Sequence, residues 1–143
     1  VMVPLVSIKE ELETTLRWIR EEIKEAPIDI PLGTMIETPR AALIAGDLAP
    51  LVDFMSFGTN DLTQMIYGFS RDDVEASVIK KYIEMDILQK SPFAQLDALG
   101  VGKLVQEAIN SSRAANPEIK IGICGEHGGD PTSIRFLANS GVN

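Results

Sequence analysis

The chain has 143 residues, 45% of them hydrophobic and 24% charged, with a net charge of −8. That is one domain's worth of an ordinary globular composition, long enough to bury a core. The acidic balance argues against nucleic acid or an anionic membrane surface as partner, but anionic small molecules stay open through a bound divalent cation.

Val1–Val6 is short, apolar and rich in β-branched residues, a strand pattern. Ser7 stands three residues before Glu10 as a capping box, and Ile8, Leu12, Leu16, Ile19 and Ile23 recur at helical spacing, predicting a helix over 8–23 with Trp18 in the core. Pro27 ends that helix, and Leu32 to Glu37 reads as the second strand. Thr38–Pro39 opens a helix over Pro39–Leu48, since proline is tolerated in the first turn. The third strand covers Asp53–Phe57; Gly58 ends it, Thr59 or Asn60 caps the next helix, and that helix runs Asp61–Tyr67.

From Gly68 to Leu99 a long connection carries Arg71–Asp72–Asp73, a helical piece around Glu75–Met85 and Ser91–Pro92–Phe93. A connection of that length points to a functional loop or an interface. Leu99, Leu104, Ala108 and Ile109 predict a helix over 99–115, Ile119–Cys124 is the fourth strand, Gly125–Gly129 a glycine-rich turn, and Pro131–Ala138 the last helix. Four alternations of strand and helix define an α/β fold with a parallel sheet: either an open doubly wound sheet or an arc of a (β/α)8 barrel. Neither end of the chain looks like a domain boundary. No apolar run approaches the ~20 residues of a membrane helix, and no basic-then-apolar leader opens the chain. The single cysteine cannot form an internal disulfide, so Cys124 is expected as a free thiol in a reducing, cytoplasmic setting.

Parallel strands would bring three sets of chemical groups to one mouth: Glu37, the Gly58–Thr59–Asn60–Asp61 turn, and Cys124 with Glu126 and His127. Glu37 or Asp61 alone would read as a helix-start acid. Together, at successive strand ends, they suit Mg²⁺, which takes one or two carboxylates and completes its octahedron with water and substrate oxygens. Cys124 is either a small buried hydrophobe or a thiol acting as proton donor or nucleophile, and its place before a flexible turn favours the second. His127, the only histidine, is expected to hydrogen-bond around Cys124 and the loop rather than to carry a group. The glycine turn lacks the spacing and lysine of a P-loop.

Four stretches in order, Gly33 to Arg40 (GTMIETPR), Phe54 to Gln64 (FMSFGTNDLTQ), Gly68 to Asp73 (GFSRDD) and Gly122 to Gly129 (GICGEHGG), resemble the C-terminal PEP/pyruvate domain of the pyruvate, phosphate dikinases. The resemblance runs through essentially the whole chain. PEP synthase and the phosphotransferase-system Enzyme I share the Glu-x-Pro and Thr-Asn-Asp elements, but GFSRDD, GEHGG, Ile87–Leu88–Gln89 and Pro92–Phe93 are similar to the dikinases. Thr38 and Ser91 depart from the usual family residues, and Arg40, Arg71 and Arg113 do not match the family's substrate-binding arginines, although Arg71 could reach the mouth.

The resemblance implies a partial (β/α)8 barrel of about four βα units, with residues 1–143 a fragment of the PEP/pyruvate domain and the nucleotide-binding and phosphohistidine domains absent. It implies the half-reaction in which a phosphoryl group passes between a histidine on a separate domain and pyruvate enolate, giving phosphoenolpyruvate. By position, Glu37 and Asp61 would bind Mg²⁺, Glu37 and Gly58–Thr59–Asn60–Asp61 would meet substrate, Asn60 would donate to a substrate oxygen, and Cys124 would exchange a proton with the methyl carbon. A thiol that ionises at about 8.5 is suited to that exchange. The parent is expected as a homodimer. Two other readings are a PEP synthase or Enzyme I, told apart by the phosphoryl partner, and a non-catalytic half-barrel whose open edges make it self-associate.

Overall fold

A computed structural model describes all 143 residues. Four parallel strands, β1 (Met2–Val3), β2 (Gly33–Ile36), β3 (Phe54–Gly58) and β4 (Lys120–Cys124), lie in the sheet in sequence order. Between them run α1 (Lys9–Ile23), α2 (Pro39–Leu43), α3 (Ala45–Leu48), α4 (Thr59–Tyr67), α5 (Arg71–Val74), α6 (Lys80–Glu84) and α7 (Val101–Ala115); α8 (Pro131–Ser140) follows β4. The register aligns Ile36 with Phe57 and Phe57 with Ile123, and Gly58 with Cys124.

Strand order and burial decide between the two α/β architectures. Val3, Thr34, Met55 and Ile121 share one sheet face with Ile36 and Phe57, and all are buried. Their row-mates on the other face, Met2, Phe54, Lys120, Met35 and Gly122, keep solvent contact. The helices α1, α2, α3, α4, α7 and α8 touch one another as a single layer against the buried face. A doubly wound sheet needs helices on both faces and a reversal of strand order. Consecutive order with one helical layer is an arc of a βα-barrel, whose uncovered face is the barrel interior.

The packing explains where local expectations fail. On α1 the buried stripe is Leu12 and Leu16; Trp18, two residues beyond Leu16, points to the opposite side and is 59% exposed, not core. Glu11, not Glu10, closes the N-terminus of α1, accepting from the backbone N–H groups of Ser7 (3.2 Å) and Ile8 (3.3 Å). Ser7 is occupied elsewhere, its hydroxyl donating to Thr38 Oγ1 (3.0 Å), which in turn caps α2 by accepting from Ala41 N–H (3.0 Å). The predicted 39–48 helix breaks at Ile44 into α2 and α3. There Gly46 comes so close to α7 that a Cβ would stand 3.1 Å from the Ser111 carbonyl. Leu99 lies outside α7 and is 90% exposed. The helical piece of the long connection is real: α5 and α6 are joined by a π-turn over Glu75–Ile79, and Ile79, Phe93 and Leu96 bury the connection against the domain.

Candidate functional site

The C-terminal ends of β2, β3 and β4 form one row. Ile36 pairs with Phe57, so Glu37 follows beside Gly58, and Gly58 pairs with Cys124. Side chains alternate along a strand, so all three positions share the face that no helix covers. Glycine is required between the two functional groups: a Cβ on Gly58 would stand 2.6 Å from Glu37 Oε2 and 2.7 Å from its Cβ.

Glu37 is 4% exposed. Its Oε1 accepts from Leu5 N–H (2.7 Å), so the strained turn after β1, where Leu5 has φ 52°, orients the carboxylate. Burial raises its pKa above the ordinary carboxylate value; the Leu5 N–H opposes that, and the neighbouring Asp61 carboxyl, within hydrogen-bonding reach, raises it further. Two carboxyls driven together in this way lack a positive partner. Asp61 sits in the first turn of α4, where Gln64 Nε2 donates to its Oδ1 (3.2 Å); Gln64 Oε1 accepts from Arg71 N–H (2.9 Å).

No side chain caps α4. Gly58 is its N-cap residue and Thr59 already lies in the first turn, so neither Thr59 nor Asn60 performs the capping expected of them. The first amides of the helix are therefore free for an anion, on the positive end of the helix dipole. Thr59 is fully buried, and its hydroxyl is engaged by His127 Nδ1 (2.6 Å). Asn60 donates through Nδ2 to Glu126 Oε2, which leaves Asn60 Oδ1 buried with no partner. Gly125 allows this approach: it has φ 97° and ψ −177°, a region open in practice only to glycine, and a Cβ there would meet Asn60 Nδ2 at 3.0 Å.

Cys124 is partly exposed, with its thiol donating weakly to the Phe57 carbonyl at 3.5 Å. His127 turns away from it. The imidazole is fully buried, with Nδ1 on Thr59 and Nε2 on the Pro92 carbonyl (2.9 Å), so the expected bond around Cys124 is replaced by ties to two other loops. Burial lowers its pKa below 6.5. Arg71 does reach the mouth: Nη1 binds Glu126 Oε1 at 2.7 Å, Nε faces Glu75 Oε2 at 3.4 Å, and the guanidinium lies 5.7 Å from the Phe93 ring centre. The bonds from Asn60 and Arg71 hold Glu126 at a pKa of about 2. Arg71, Glu126, Phe93 and Asp130 line a cavity of about 500 Å³ beside the row. Glu126 was expected at this mouth and Arg71 within reach of it, both without an assigned role; the bond between them and the grip of Glu126 on Asn60 were not foreseen. Gln64 had only a local signal, its position three residues after Asp61 on one helix face.

A sheet arc with two carboxylates, a helix N-terminus and a thiol at its C-terminal rim has the arrangement on which βα-barrel proteins build their sites. The model of the PEP-utilising enzyme, PEP-binding domain, matches residues 1–143, and the chain belongs to that family. It is 48% identical over 149 aligned positions to pyruvate, phosphate dikinase 2 of Oryza sativa subsp. japonica, and equally so to pyruvate, phosphate dikinase 1, chloroplastic, of Arabidopsis thaliana and pyruvate, phosphate dikinase 2 of Zea mays. Each match covers 100% of this chain but only 17%, 15% and 17% of the respective relative.

Proposed function

We propose that this chain forms the pyruvate/phosphoenolpyruvate mouth of a pyruvate, phosphate dikinase, part of a larger enzyme that interconverts ATP, phosphate and pyruvate with AMP, diphosphate and phosphoenolpyruvate. The observation that carries it is the single row Glu37, Gly58, Cys124, with Asp61 near enough to raise the pKa of Glu37, in a chain 48% identical throughout to proteins of that name.

Glu37 and Asp61 would hold Mg²⁺. The oxygen donors fit a hard cation: two carboxyls near enough for Asp61 to raise the pKa of Glu37, which burial also makes harder to ionise. No third His, Cys, Asp or Glu completes a cluster, which suits an ion that keeps water and substrate oxygens in its shell. Bound there, Mg²⁺ supplies Lewis-acid stabilisation for negative oxygens of the enolate and of the phosphoryl group. The uncapped first-turn amides of α4 bind and orient substrate oxygens, the Thr59 side chain being turned inward. Cys124, as thiolate, takes a proton from the pyruvate methyl carbon to leave the enolate, and returns it in the reverse direction. The enolate oxygen then takes the phosphoryl group as the donor histidine's N–P bond breaks. That donor lies outside this chain, because His127 is buried with both ring nitrogens engaged.

The other partners of this reading are a phosphohistidine-bearing domain of the parent chain and, from the resemblance, a second copy of the parent. A reducing compartment, cytoplasmic in our reading, keeps the Cys124 thiol free; no helix is long and apolar enough to cross a membrane. The relatives' shared name favours the dikinase over PEP synthase or Enzyme I. The test is exchange of pyruvate methyl protons with solvent, with Mg²⁺ present, in the intact protein. Cys124→Ala is expected to abolish exchange while Mg²⁺ binding persists; unchanged exchange overturns the role of the thiol.

A further inference from the structure

His127 joins three chain segments. It stands on the turn after β4, its Nδ1 meets Thr59 at the start of α4, and its Nε2 meets the Pro92 carbonyl of the long connection. The Pro92 carbonyl can only accept, so Nε2 carries the proton and Nδ1 accepts from the Thr59 hydroxyl. The neutral imidazole is thereby held in one tautomer, with the charged groups Glu126, Asp130 and Arg71 around it. Thr59 is held on its main chain as well, its carbonyl accepting from Thr63 Oγ1 (2.7 Å). The preceding residue repeats the pattern: Glu126 grips Asn60 on one side and Arg71 of the long connection on the other. Two adjacent residues after β4 therefore pin two adjacent residues after β3, and each reaches onward to the same connection.

We infer that His127 is a positioning residue that acts through Thr59, fixing the Thr59–Asp61 turn against Glu37 and coupling it to the order of the Ser91–Phe93 segment. The kinetic part rests on the proposed function; the structural part does not. Burial obliges the imidazole to satisfy both nitrogens, and it does so on two separate loops. A rigid ring with an acceptor at one end and a donor at the other thereby ties the start of α4 at the rim to the long connection.

The experiment uses the intact protein and the variants His127→Ala, His127→Asn and His127→Gln. In ¹⁵N spectra, the imidazole signal that vanishes in His127→Gln should show a protonated Nε2 and a bare Nδ1. In His127→Ala, amide hydrogen exchange should quicken together over 59–67 and 91–96, leaving the β3–β4 pairing protected. Methyl-proton exchange should fall roughly 10–100-fold in His127→Ala. Asparagine, which keeps an acceptor near the Nδ1 position, should recover most of that loss, and glutamine, which keeps only a donor toward Pro92, should not. A protonated Nδ1, hydrogen-exchange changes confined to 125–131, or equal impairment of the alanine and asparagine variants would overturn the inference. If the unaltered protein exchanges no methyl protons, the proposed function fails, and the spectroscopic and hydrogen-exchange results still decide the role of His127.

Discussion

Glu37 concentrates the electrostatics of the site in one side chain. Burial and the Asp61 carboxyl raise its folded pKa above 4.5. The sign follows from linkage: its contribution to stability is fully present below 4.5, where folded and unfolded forms are both protonated, and is lost as pH rises through the raised folded value. A cation between the carboxyls reverses that cost. Mg²⁺ is therefore expected to raise the melting temperature more at pH 8 than at pH 5, with proton release on binding, and Glu37→Gln should remove the Mg²⁺ effect without lowering cation-free stability at neutral pH. Calorimetry with and without Mg²⁺ checks both. Glu126 has the opposite sign: its folded pKa of about 2 makes its contribution present above 4.5 and lost as pH falls toward 2. Being half exposed, it is worth at most roughly 1 kcal/mol.

At the level of elements, the strand-to-helix junctions carry the constraints. Gly58→Ala would drive a methyl into Glu37, with no room to give between two paired strands, and is expected to cost about 1–3 kcal/mol and to weaken Mg²⁺ binding. Gly68→Ala adds a methyl where nothing lies within 4 Å, so only its left-handed backbone (φ 64°) opposes it, at roughly 1 kcal/mol with cation binding intact. Urea denaturation and a cation titration of the two variants separate close approach from conformational freedom. On α1, Leu16→Ala should cost about 2–5 kcal/mol, while Trp18→Ala, on the exposed side, should stay within about 0.5 kcal/mol in the same denaturation series. The amphipathic spacing of α1 was legible in the sequence, whereas the side on which Trp18 falls depends on which stripe meets the sheet. The break at Ile44 was not legible, because no helix breaker marks it and the close contact of Gly46 with α7 is tertiary.

At the scale of the molecule, four strands give an arc with one helical layer, an uncovered inner face and two free edges. Met2, Met35 and Phe54 lie on that face with solvent contact. The 143-residue chain by itself is expected to self-associate through these surfaces. Sedimentation velocity checks this: a monodisperse monomer that unfolds cooperatively would contradict it. In the parent enzyme the same face would be closed over by the remaining strands of the barrel.

The sequence by itself determined the alternation of strand and helix, the strand ends at Glu37, Gly58 and Cys124, and the family, because apolar periodicity and short motifs are local properties of the chain. Only the tertiary structure decided that the helices share one layer, that Asp61 comes near enough to Glu37 to raise its pKa, and that His127 and Glu126 bind Thr59, Asn60, Pro92 and Arg71 rather than Cys124. Those contacts join residues 24 to 68 positions apart, and nothing in a local pattern specifies which distant loops the strand register will bring together.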